Sequence, residues 1–115
     1  MSDEIRLTRA TVRMLRALVD QAKERRIVAG EEGTTDEDVV GDVVTVTSTA
    51  SIAAGIEEGV GYEEELAAVI GELLQAHALE PAEGSERTIS YAMEGSEAYV
   101  IRPGAIEALG GGGSP

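Results

Sequence analysis

The sequence predicts an α+β domain, three helices with a small antiparallel sheet, and three stretches carry that prediction. Residues 7 to 26 set Leu7, Thr11, Met14, Leu15, Leu18 and Ala22 on one helical face. Two further apolar faces flank the glycines Gly59 and Gly61. Ile52, Ala53, Ile56 and Val60 form the shorter one, and Leu66, Val69, Ile70, Leu73 and Leu74 the longer. Finally, Arg87 to Met93 and Ala98 to Arg102 alternate with period two, as strands do.

A chain of 115 residues that is 43% hydrophobic suits one small core. The expected organisation is a single domain over residues 1–109, with an acidic loop at 28–42 and a flexible tail at 110–115. There is no Cys, which excludes disulfides, thiolate metal sites and a cysteine nucleophile. Met1 to Arg6 lack the apolar core of a signal peptide, and no apolar run approaches the roughly 20 residues that span a bilayer. A soluble, cytoplasmic protein with no membrane partner is expected.

Charge is the chain's most unusual property. The net charge is −13, and seven of the nine basic side chains fall within residues 1 to 26, which alone are +3. The remainder carries only Arg87 and Arg102 against eighteen acids. A basic helix is thus joined to a strongly acidic body. Opposite its apolar face this helix presents Arg6, Arg9, Arg13, Arg16 and Lys23 as a candidate interaction stripe. Two readings stand: a solvated outer face, partly neutralised by Arg16 and Asp20 at i,i+4, or a docking face for an acidic surface.

From Val28 to Asp42 the chain turns to Gly, Thr and acids, the composition of an exposed loop. Thr35 is placed to cap a short helical turn, with Asp36, Glu37 and Asp38 at its positive end. A calcium loop beginning at Asp36 fails, because Val40 occupies its fifth position and Thr47 the twelfth, where a bidentate Glu belongs. Val43 to Thr47 is β-branched throughout and reads as a strand. Ser48 or Thr49 then caps a helix running to about Glu58, which Gly59 ends.

Glu63, Glu64 and Glu65 open the next helix, where carboxylates meet unpaired N–H groups. Its outward positions are Glu64, Ala68, Gly71, Glu72 and Gln75, and no Lys or Arg occurs between residues 27 and 86. His77, the only histidine, falls near the apolar face at the helix end, where packing and the dipole account for it. Ile89, Tyr91 and Met93 pair with Tyr99 and Ile101 across the connection Glu94, Gly95, Ser96 and Glu97. Ala105 to Leu109 has room for one or two helical turns. Leu15, Leu18, Ile52, Ile56, Leu66, Ile70, Leu73, Tyr91 and Ile101 are the expected core. Helix, strand, helix, glycine turn, helix and hairpin follow one another as in a winged helix.

The runs Ser51 to Ala53, Gly59 to Gly61, Leu73 to Leu79, Thr88 to Tyr91 and Tyr99 to Gly104 look like the helix-turn-helix and wing of bacterial winged-helix transcriptional regulators. Leu7 to Leu18 is similar to the first helix of PadR-like members. The resemblance implies a recognition helix over 62 to 77, its surface formed by Glu64, Ala68, Glu72 and Gln75, and a wing tip at Glu94, Gly95, Ser96 and Glu97. Members of that family usually carry basic and polar side chains at both sites, and many have Gly where Ala78 stands.

That departure bears on function, since DNA affinity comes from neutralising phosphates and each groove-facing acid adds repulsion. One His, no Cys and no glycine-rich phosphate loop leave no catalytic constellation and no cofactor or metal site. The expected function is a non-enzymatic, regulator-type winged-helix module that acts through protein contacts, its own homodimer included. A DNA-binding regulator is the alternative, and an acidic DNA mimic a third.

Overall fold

A computed structural model describes residues 7–57, 59–82 and 98–110. Helix α1 spans Arg9–Val28 and is the scaffold of the domain. Thr8 caps it, its hydroxyl oxygen accepting from the Thr11 amide, and Thr11, Met14, Leu15, Leu18, Val19 and Ala22 are buried along one face. A 3₁₀ turn at Glu37–Val39 leads to strand β1, Val43–Thr45. Helices α2, Ser48–Ala53, and α3, Tyr62–Gln75, follow, then β2 at Leu79–Pro81, β3 at Ala98–Ile101 and α4 at Gly104–Ala108. The architecture is α+β, with four helices among the described residues and a three-stranded antiparallel sheet in the order β1-β3-β2.

The last strand therefore lies in the middle. Val100 faces Val43 on one side and Glu80 on the other. Both edges of the sheet are blunted. Gln21 of α1 donates to the Thr45 carbonyl at 3.0 Å and accepts from the Thr45 amide at 3.1 Å, while Arg25 donates to the Val43 carbonyl. Two helix side chains thus occupy backbone groups that would otherwise invite another strand. On the far edge Pro81 has no N–H to offer.

The helix ends share one device. After α1 the Gly30 and Glu31 amides return to the carbonyls of Ile27 and Arg26, and after α2 the Gly55 and Ile56 amides return to Ile52 and Ser51. After α3 the His77 and Ala78 amides return to Leu74 and Leu73. These are Schellman closures, which need a left-handed residue at the turn. Gly30 and Gly55 supply it at φ +101° and +85°; after α3 it is His77, at φ +59°.

The core joins α1 to α3 and the sheet. Met14, Leu15, Leu18, Leu73, Val39, Val44 and Ile101 are all fully buried. Leu15, Leu18, Ile56, Ile70, Leu73 and Ile101 sit where the sequence puts them, and Leu66 packs half-buried against them. Ile52 does not: it is 71% exposed. The expected second helix stops at Ala53 and not near Glu58, because Gly55 takes the left-handed turn, so Ile56 enters the core from outside the helix. Ala50, Ser51 and Ala54 fill the inward positions, leaving Val60 fully exposed.

Other expectations change as well. The first helix is shifted to Arg9–Val28 and the third ends at Gln75. The 28–42 segment is no simple exposed loop, since Val39 is fully buried and the chain on either side of it is anchored to α1. The strand pairing with β3 directly after α3 is Leu79–Pro81; a three-residue strand containing proline leaves no alternation to read. The expected strand Arg87 to Met93, with Tyr91, lies outside the described residues. So does the wing of Glu94, Gly95, Ser96 and Glu97.

Candidate interaction surfaces

The basic stripe of α1 divides into two parts. Arg16 reaches Asp36 with both terminal nitrogens, at 3.1 and 2.8 Å, and also holds Asp20 at 2.9 Å. Lys23 meets the same Asp36 carboxylate at 2.9 Å. One turn further on, Arg26 forms a two-pronged pair with Asp42 at 2.7 and 2.8 Å and a third bond to Glu31 at 2.9 Å. Such forked guanidinium–carboxylate pairs are the strong, geometrically specific class. The hydrogen bonds from Arg16, followed by those from Lys23, hold the Asp36 carboxyl at about 2, down from 3.8. The Arg26 fork likewise lowers Asp42.

Arg16 and Lys23 are therefore not a free docking stripe. The acidic segment at 31–42 folds back on the basic helix and neutralises it within the chain. Arg9 and Arg13 are exposed and make no ion pair among the described residues, while Arg6 lies outside them. The segment is held by its own turn as well: the Thr35 hydroxyl accepts from the Asp38 amide, and the Thr35 amide donates to the Asp38 carboxylate at 2.9 Å. The N-cap position of the Glu37–Val39 turn is Asp36, one residue after the expected Thr35, but Thr35 and Asp38 bond reciprocally as in a capping box.

On α3, Glu63, Glu64, Glu65, Ala67, Ala68 and Gln75 are exposed. Glu72 is half-buried and already bonded to α1. Its carboxylate accepts from the Thr11 hydroxyl at 2.7 Å and from the Thr8 amide at 3.1 Å. It sits over the first turn of α1, where unpaired amides and the helix dipole favour an anion. The Thr11 hydroxyl, then the Thr8 amide, lower its pKa. An acid that reads as part of a recognition surface thus fastens α3 to the start of α1. The sequence signal for it is Thr8 followed by Thr11, an N-cap pair without an acid in its own first turn.

His77 is exposed beyond the end of α3, not packed against the core. Among the described residues no group of His, Asp and Glu is placed to hold a metal ion, and no helix is long and apolar enough to cross a membrane. A groove of about 850 Å³ runs beside α1, floored by Val12, Ala17, Ala50, Ala53 and Leu109. Arg13, Arg16, Asp20 and Glu24 of α1 line it as well. In comparisons with known proteins, no family model, no curated protein and no solved structure matches the chain.

Proposed function

We propose that this chain is a winged-helix module of the regulator type, acting through protein contacts and not through DNA. The winged-helix reading is supported by the element order, α1-β1-α2-α3-β2-β3, and by an antiparallel sheet whose last strand lies between the other two. The reading against DNA rests on one observation. The outer face of α3, which would enter a groove, offers Glu63, Glu64 and Glu65 and no cation. Groove recognition needs donors to phosphates and base edges, and three carboxylates there repel the duplex instead. Arg16, Lys23 and Arg26 are already committed to Asp36 and Asp42.

Arg9 and Arg13 favour the second reading, a regulator that meets the phosphate backbone with the start of α1. Two arginines give little counterion release against a net charge of −13. Fluorescence anisotropy with a labelled random duplex separates the two. Binding at physiological salt should be weaker than the ~10⁻⁴ to 10⁻⁶ M of ordinary nonspecific DNA binders. A submicromolar affinity would make the DNA reading the better one.

A further inference from the structure

Along the outer line of α1 the charges fall in a fixed order. Arg9, Arg13, Arg16, Asp20 and Glu24 are spaced four, three, four and four residues apart, so they share one helical face. Three cations therefore precede two anions on a single line. Arg9, Arg13, Asp20 and Glu24 are exposed, and none of them but Asp20 has an ion-pair partner among the described residues. Lys23 and Arg26, which would blur the acidic half, point to the acidic segment and hold Asp36 and Asp42.

We infer that this face of α1 is a docking surface for a second copy of the same chain, with the two α1 helices antiparallel across a two-fold axis. In such an isologous contact residue i meets residue j and residue j meets residue i. An axis passing between Arg16 and Ala17 brings Arg9 to Glu24 of the second copy and Arg13 to its Asp20, each pair occurring twice. The small Ala17 at the crossing lets the helix axes approach closely. Arg16 lies beside the axis, where its charge is offset by its own Asp36 and Asp20. The groove floored by Ala17, Ala50, Ala53 and Leu109 runs along the same side and supplies apolar area to cover.

Charge also selects this orientation over others. Two bodies at −13 repel in most mutual arrangements. The N-terminal half of the α1 stripe offers a second copy a cationic surface, and its complement is the acidic half of the same stripe. Among the described residues the sheet edges are poorly suited to pairing, because Gln21 and Arg25 occupy one and Pro81 stands in the other. Complementary charges of this kind fix register and encounter, while apolar burial supplies most of the affinity.

The inference rests on the protein-contact reading but is tested apart from it, by mass in solution with two charge-reversed chains at physiological salt. Arg9→Glu with Arg13→Glu makes the stripe acidic except at Arg16; Asp20→Arg with Glu24→Arg makes it wholly basic. The wild type should be dimeric, and each variant alone monomeric. An equimolar mixture of the two should regain the dimer as a heterodimer. Circular dichroism of each variant shows that it is folded, and recovery in the mixture shows it independently. A wild type that stays monomeric up to about 1 mM, the weak limit of specific association, overturns the inference. So do variants that dimerise as well as the wild type, or a mixture of folded variants that remains monomeric. Tight DNA binding with the dimer intact would remove the protein-contact reading and leave this interface standing.

Discussion

His77 occupies a position that the other helix ends give to glycine. Its φ of +59° is the left-handed conformation that closes α3, and a side chain there costs on the order of 1 kcal/mol relative to glycine. The side chain is exposed, so removing it disturbs no core packing. His77→Gly should leave the fold intact and raise stability by up to about 1 kcal/mol in urea denaturation, after the entropy glycine adds to the unfolded chain. Gly104 shows the reverse. A Cβ there would lie 2.7 Å from the Ala76 carbonyl oxygen and closer still to that of His77. Gly104→Ala forces α4 away from the end of α3 and should cost about 1–3 kcal/mol.

Glu72 shows how far one residue can be misread. Its position on α3 puts it on the outward side of an isolated helix, and nothing in α3 itself says otherwise. Only the packing of α1 across α3 brings Thr8 and Thr11 to it. Glu72→Gln keeps the shape but loses the charge at the helix start, and should cost about 1 kcal/mol in the same denaturation assay.

At the scale of elements, α1 and α3 were the most legible parts, because long stripes at helical spacing average over local ambiguity. Helix α2 was the least legible. Six residues do not establish a phase, and Ile52, Ile56 and Val60 happen to keep helical spacing beyond the point where Gly55 ends the helix. The acidic segment was misread for another reason. Composition speaks for exposure, but the forks from Arg16 and Arg26 depend on side chains twenty and sixteen residues apart in sequence, respectively.

That segment gives the domain an acid-sensitive clasp. Asp36 titrates at about 2 in the folded chain, below its ordinary 3.8, and Asp38, Asp42 and Glu72 are lowered as well. Groups with depressed folded values stabilise fully above their unfolded values, and that stability is lost as pH falls through the folded ones. Thermal stability should therefore be flat above about pH 5 and decline steadily as the pH approaches 2. Asp36→Asn should be less stable at neutral pH and show a shallower acid decline. An equal decline in both proteins would mean that Asp36 does not hold the clasp.

Over the whole molecule, most of the core is legible in the sequence, but the destination of the charge is not. The division into a +3 helix and an acidic body suggested two surfaces seeking partners elsewhere. Folding brings Arg16, Lys23 and Arg26 together with Asp20, Glu31, Asp36 and Asp42. Among the described residues, the exposed charges without an ion-pair partner include Arg9 and Arg13 at the start of α1, Glu24 further along it, and the carboxylates at the start of α3. On the proposed reading this described surface is a poor match for a polyanion. In the proposed antiparallel arrangement its charges would complement those of a second copy.

The amide spectrum of the labelled chain, recorded while random duplex DNA is added at about 50 mM salt, tests that account most directly. Phosphate attraction is strong at this ionic strength, so even a weak DNA surface would respond. The expected result is that the amides of Tyr62 to Gln75 stay where they are at every DNA concentration. Progressive shifts centred on α3 would contradict the account, because they would mean that its acidic outer face meets the duplex after all.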